Sequence, residues 1–525
     1  MLLANYGKAI RSAPRETIFN HNLLLTTLLY AMSALPATWD QGSASTISTL
    51  PGFQKQFGIS SGTNASAIKN FVSIVYIGYA VGAALSFFIN DRIGRLWSYR
   101  LYIVIYIIGQ LVATFAPGLA GLYASRIISG LGIGALTVIG PMAIVEIAPA
   151  EIRGLLASWF VVCLGMAAVV AIFCCYGVFI HVPSSKLQYQ IVWFVPCIIM
   201  FICMTASFFV CESPRWLLLV GRRDEGIKTL VKLRGLPADH PRVQLEIQNI
   251  ENSISKEFGG DNDHHRYDST FIGIVKETFL VPSNLRRVSQ TLISYALAQL
   301  SGANSITSYF VPILTITGLG GGGTTRSLFL SGMYSMSKLG FVLIASFFFI
   351  DVLGRRKSLF IGISLQMISD IYIGVYVKYK QEGTASLASS QGALAFLFIH
   401  AFGYATGLLT LPYVFGGELW PNRIRSFGGA FGATFHWLFI YAFIYALPNI
   451  LSSTDNWGAF LFFAGCCFLS LIYVYLMVPE ISGMSVEEID AVFKGSWFNA
   501  FKRTKQLGII ESVESRDDEN FDKPK

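Results

Sequence analysis

The sequence predicts an all-α membrane protein with twelve transmembrane helices in two six-helix halves, both termini in the cytosol. Three observations carry this. Of 525 residues only 13% are charged, about half the share in a soluble domain, and the mean hydropathy is +0.54. Twelve largely apolar stretches each approach the ~20 residues that cross a bilayer. Short charged motifs recur in the two halves at matching offsets.

The stretches lie near 22–46, 69–90, 97–116, 119–146, 155–179, 189–211, 287–317, 325–350, 357–377, 391–417, 427–450 and 457–478. They organise the chain into a cytosolic N-terminus (1–21), a first half (22–211), a cytosolic central loop (212–285), a second half (286–478) and a cytosolic tail (479–525). Orientation follows from the cations. Lys8, Arg11 and Arg15 precede span one; Arg92, Arg95 and Arg100 follow span two; Arg153 follows span four; Arg215, Arg222, Arg223 and Lys228 follow span six. The loops after spans three and five carry almost none, so the positive-inside rule sets both termini in the cytosol. The Asn64-Ala65-Ser66 sequon then falls outside, as a glycosylation acceptor must. The formal charge of +8 reflects these loops and not a nucleic-acid surface.

Within the central loop, Ile227, Leu230, Val231 and Leu233 alternate with Lys and Arg as in an amphipathic helix. His264 and His265 sit in a polar stretch and read as solvated loop, so no metal is expected. Eight cysteines lie in or at apolar spans, with no zinc spacing. No HExxH, GxSxG or phosphate loop occurs, which argues against an enzyme and against a cofactor.

The halves repeat. Asp91-Arg92-Ile93-Gly94-Arg95 after span two answers Asp351-Val352-Leu353-Gly354-Arg355 after span eight. Glu146, Pro149 and Arg153 at the end of span four answer Glu418, Pro421 and Arg425 at the end of span ten, and Glu212 answers Glu480. A duplicated apolar scaffold accounts for repeated hydrophobic residues but not for repeated charges at fixed offsets. Internal repeats with a site at their interface are how many alternating-access carriers are built.

At these residues the sequence resembles the sugar porter family of the major facilitator superfamily, in a fungal-type form, from about Asp40 to Glu488. The motif after span two appears as Asp91-Arg92-Ile93-Gly94-Arg95-Leu96, with Leu in the last basic place; Arg126, Gly130, Gly132 and Gly134 match R-x-x-x-G-x-G-x-G in full. Pro141 to Gly154 matches the span-four motif with Ala143 in place of Tyr. Glu212-Ser213-Pro214-Arg215-Trp216-Leu217 and Pro479-Glu480-Ile481-Ser482-Gly483 complete the set. The resemblance implies a secondary active carrier of a sugar or sugar-like solute in the plasma membrane, acting as a proton symporter and a monomer. It also leaves open a carrier of a sugar acid or quinate-like compound, an exporter of a secondary metabolite, and a non-transporting nutrient sensor.

It implies roles as well. Asp91, Arg92, Arg95, Glu146, Arg153, Glu212 and Arg215, with Asp351, Arg355, Arg356, Glu418, Arg425 and Glu480, would form two cytosolic gate clusters. Exposed ion pairs contribute only ~0–1 kcal/mol each, yet a network can bias a two-state equilibrium. Asp40 and Arg126 would carry proton coupling; ionisable groups within spans are expensive and therefore functional candidates. Substrate contacts map to Gln299, Asn304, Tyr309, Tyr413, His436 and Trp437, joined by Lys338. Ala298, Ser308 and Val161 replace hexose-contacting residues of the family, and His436 and Lys338 turn the expected solute toward an acid.

Overall fold

The computed structural model describes residues 14–59, 65–258, 271–319, 323–345, 354–409, 419–480 and 492–493. These are helical throughout, with no strand among the described residues, as a bilayer requires of any chain that does not close a barrel. Ten helices are long and apolar enough to cross a membrane: Arg15–Ala44, Ser66–Ile93, Arg95–Phe115, Leu119–Ile147, Arg153–His181, Leu187–Phe209, Gly323–Ile344, Arg355–Gln381, Arg425–Ser453 and Trp457–Met477. These are spans one to six, eight, nine, eleven and twelve.

The two remaining spans depart from a single apolar rod for different reasons. Span seven is three pieces, Pro282–Leu300, Ala303–Ser308 and Phe310–Ile316. It breaks where Gly302 takes φ +76, a left-handed conformation open to glycine. Span ten is the helix Leu387–Thr406, diluted by serines and glycines; its expected continuation to 417 lies outside the described residues.

Span four is the axis of the first half, packed between spans two and three. Its glycines explain the close approach. A methyl at Gly130 would stand 2.5 Å from the Val75 carbonyl oxygen, and one at Gly132 would stand 2.6 Å from that of Tyr102. In the second half span nine packs on spans ten and twelve. The halves meet where span five packs on span eight and span two on span eleven.

The amphipathic helix expected in the central loop is Arg223–Arg234. Leu230 packs with Leu236, Val243 and Ile247, the last two from the helix Pro241–Phe258, while Leu233 joins the main core. His264 and His265 lie outside the described residues.

Candidate functional site

The two charged motifs fold into the same device. In each, a glycine with positive φ, Gly94 at +90 and Gly354 at +87, caps the start of a helix. The turn aims the first helical amides at a carboxylate. Arg95 and Leu96 donate their backbone N–H to Glu212 at 3.1 and 3.0 Å. Arg355 and Arg356 donate theirs to Glu480, both at 3.0 Å. A helix N-terminus is a ready anion site, so each acid at the end of a half pins the helix that follows the motif. A Cβ at Gly94 would come within 2.8 Å of Glu212, which excludes other residues there. Burial pushes the Glu212 carboxyl up from its ordinary range, and the amides of Ser213 and Leu96 pull it back.

Around Arg95 three residues of the first cluster meet. Its guanidinium donates to both oxygens of Glu146 at 2.9 and 2.7 Å and to Asp91 at 2.9 Å. The Trp216 indole donates to the Asp91 carbonyl oxygen at 2.9 Å, tying in the loop after span six. Two expected members sit elsewhere. Arg92 is exposed and makes no ion pair among the described residues. Arg153, exposed at the start of span five, lies in the field of Glu246 and Glu151 instead. Arg215 is the second residue of the helix Pro214–Leu219. In the second half, Arg356 donates to the Tyr475 carbonyl oxygen at 2.8 Å and Arg425 to that of Trp420 at 3.3 Å. Asp351, Glu418, Tyr413 and Asn64 lie outside the described residues.

Asp40 and Arg126 meet as a two-toothed ion pair, one of its bonds being Nη2 to Oδ2 at 3.0 Å. Both are buried, at 4% and 3% exposure. Arg126 Nε donates to the Phe71 carbonyl oxygen at 2.9 Å, and the Tyr79 hydroxyl donates to Asp40 at 3.3 Å. Tyr79 then meets the Trp437 ring edge-on at 4.7 Å, and Tyr76 stacks on it at 6.1 Å. Thus the pair reaches span eleven of the other half through two aromatic rings. His436 beside it packs on Tyr295 at 4.6 Å.

The remaining candidates form a second polar group. The Asn304 carboxamide donates to Gln299 Oε1 at 2.8 Å and lies 3.2 Å from the Tyr404 hydroxyl. Lys338 donates to Thr307 Oγ1 at 3.3 Å and sits 5.3 Å from the Tyr404 ring centre. No carboxylate pairs with Lys338 among the described residues. The Gln299 amide nitrogen and the Tyr309 hydroxyl are buried without a hydrogen-bond partner there. The group is therefore rich in donors, and unmet buried donors cost ~1–3 kcal/mol each. Val161, where the family offers glutamine, lies against Val342, Ala345 and Ala405.

Sequence reasoning missed several contributors. Thr307 and Tyr404 look like ordinary span residues. Arg234 is buried at 3% and grips Glu246 at 2.9 Å and the Ile147 carbonyl oxygen at 2.8 Å; Arg242 reaches Glu151 at 2.6 Å. These pairs clasp the central helices to the end of span four. Asp370 in span nine was open to the rule that singles out Asp40.

A family model described as sugar (and other) transporter matches residues 26–493. The quinate permease of Emericella nidulans is 28% identical over 491 residues, covering 92% of this chain and 90% of its own. A probable quinate permease of Aspergillus flavus is likewise 28% identical over 497 residues, at 92% and 90% coverage. Among solved structures, the proton:xylose symporter XylE bound to 6-bromo-6-deoxy-D-glucose superposes with a TM-score of 0.74 at 21% identity, covering 90% of this chain and all of that one. An inward-open XylE from E. coli gives 0.70 at 20%, covering 90% of this chain and 99% of that one. The fold, the charged repeats and the matched length agree: the chain is a multi-pass membrane protein of the sugar (and other) transporter family, a carrier and not an enzyme.

Proposed function

We propose that the chain is a proton-coupled symporter of a polyhydroxylated carboxylic acid of the quinate class, working by alternating access in the plasma membrane. The observation that carries this is Lys338: an ammonium within the membrane whose near partners are a hydroxyl and an aromatic ring. A cation held so is costly unless it faces a cavity or a counter-ion, and an anionic solute supplies one. Gln299, Asn304 and Tyr309 meet the hydroxyls, while His436 and Trp437 wall the site from span eleven. The name of relatives at 28% identity, quinate permease, supports the acid.

Proton coupling belongs in this reading to Asp40 and Arg126. With Asp40 ionised, Arg126 is held across spans one and four; a proton on Asp40 releases it, and the Tyr79–Trp437 contact carries the movement to the other half. The two helix-end clusters lock the cytosolic side when it is shut. This reading has a single-chain carrier with both termini in the cytosol, Asn64 outside, and a six-helix half on either side of the central loop.

The test is uptake of labelled quinate, a hexose and a neutral cyclitol into cells making the protein, at acid and neutral external pH, with and without a protonophore. Saturable quinate uptake that the protonophore collapses is expected. A hexose carried better than quinate overturns the assignment.

A further inference from the structure

Away from these groups, the second half buries another ionisable pair. Asp370 on span nine and His400 on span ten are both 0% exposed. His400 Nε2 lies 3.5 Å from Asp370 Oδ1 and 3.2 Å from the Ser301 carbonyl oxygen. Gln366 lies 3.5 Å from the same imidazole nitrogen and donates to the Ser301 hydroxyl at 3.1 Å. Neither oxygen of Asp370 accepts a hydrogen bond among the described residues, and His400 Nδ1 has no partner there. The other titratable groups facing Asp370 are Tyr334 of span eight and Cys466 and Cys467 of span twelve. No Lys or Arg pairs with it among the described residues.

A carboxylate with no donor aimed at it costs several kcal/mol when buried. One proton held by either partner leaves the pair electrically neutral. Removing that proton leaves a bare negative charge in the membrane, and adding another leaves a positive one. Burial and a single bound proton therefore go together, and a change in protonation must bring movement or water.

The movement has an address. Ser301 caps the end of Pro282–Leu300, and Gly302 caps the start of Ala303–Ser308. The Ser301 carbonyl thus stands outside both helical ladders, since the first intrahelical acceptor is the N-cap residue. His400 is the group that meets it. On either side of this break are Gln299 and Asn304.

We propose that Asp370 and His400 form a second proton-binding site, in the second half, whose occupancy sets the bend of span seven and with it the affinity for solute. It is separate from the Asp40–Arg126 pair and independent of which solute is carried.

Infrared difference spectroscopy on the purified full-length protein through a pH step tests it directly. A protonated-carboxyl band that disappears in Asp370→Asn and shifts in His400→Gln is expected. A spectrum in which Asp370→Asn removes no such band overturns the proposal. The functional arm is counterflow exchange in an Asp40→Asn background. There, exchange should still vary about threefold or more between about pH 5 and pH 8, and adding Asp370→Asn should flatten it. A profile already flat in Asp40→Asn, or unchanged by the second substitution, overturns the link to transport. If Asp370→Asn does not reach the membrane, His400→Gln, which keeps a donor for the Ser301 carbonyl, is read in its place: a shifted carboxyl band and a flattened exchange profile are expected, and an unmoved band or an unchanged profile overturns the proposal. The infrared band needs no solute, so failure of the quinate assignment leaves it standing, and its own failure leaves that assignment untouched.

Discussion

Lys338→Met removes the ammonium and keeps the length and flexibility of the side chain. The loss expected for an anionic solute can be worked from the site. Unit charges about 4 Å apart attract by about 4 kcal/mol at an effective dielectric of about 20, and the desolvation of both ions is subtracted from that. The neighbours already in place, Thr307 at 3.3 Å and the Tyr404 ring at 5.3 Å, partly replace water around the cation. A net ~2–3 kcal/mol remains, in the range of hydrogen bonds to charged groups. At ~1.4 kcal/mol per tenfold, that is about a 30- to 150-fold rise in half-saturation for quinate. A neutral cyclitol of the same ring should lose less, up to about tenfold, since it gives up one hydrogen bond to the ammonium but no charge pairing. The assay is concentration-dependent uptake, with surface protein quantified in the same cells. Lys338→Arg, which keeps the charge, should recover part of the affinity. Equal losses for acid and neutral cyclitol, at equal surface abundance, would refute the reasoning and leave Lys338 a structural residue.

Three further outcomes are expected. Asp40→Asn should abolish accumulation driven by a pH gradient and spare counterflow exchange, because the permanently neutral side chain no longer cycles Arg126; gradient-driven accumulation by the variant would remove Asp40 from coupling. Arg95→Ala and Arg355→Ala should each slow transport with the protein still in the membrane, Arg95 more so because Glu146 and Asp91 lose their shared partner; unchanged rates in both would reduce the clusters to static staples. His436→Asn should weaken quinate uptake and admit hexoses, read as a change in competition order; an unaltered order would make the imidazole a packing residue beside Tyr295.

What the sequence makes legible follows from which forces are local. A charge in an apolar stretch is visible without any fold, so Asp40, Arg126 and Lys338 stand out, and the repeat places Glu212 and Glu480 opposite their helix starts. Contacts between distant segments are not visible in this way. Nothing local says that Arg153 faces Glu246 and Glu151, or that Arg234 turns inward to Glu246 and the Ile147 carbonyl. Those pairings depend on where the central helices dock. The break in span seven is half-legible: Gly302 is in plain view among polar residues, but only its φ of +76 shows that the helix stops there.

That break has a mechanical consequence. In an unbroken helix, residues five apart point about 140° away from one another and stand about 7.5 Å apart along the axis. Gln299 and Asn304 instead touch at 2.8 Å, one on each side of the fracture. The fragment Pro282–Leu300 is packed on spans eleven and twelve, and the two fragments beyond the break add span one of the opposite half to contacts with spans eight, ten and eleven. Span seven is thus anchored to both halves across a break in its helical hydrogen-bond ladder. A solute bound as proposed, across Gln299 and Asn304, would splint that joint. On that reading the loaded carrier would couple its halves more stiffly than the empty one, and cargo itself would become a mechanical part of the machine that moves it.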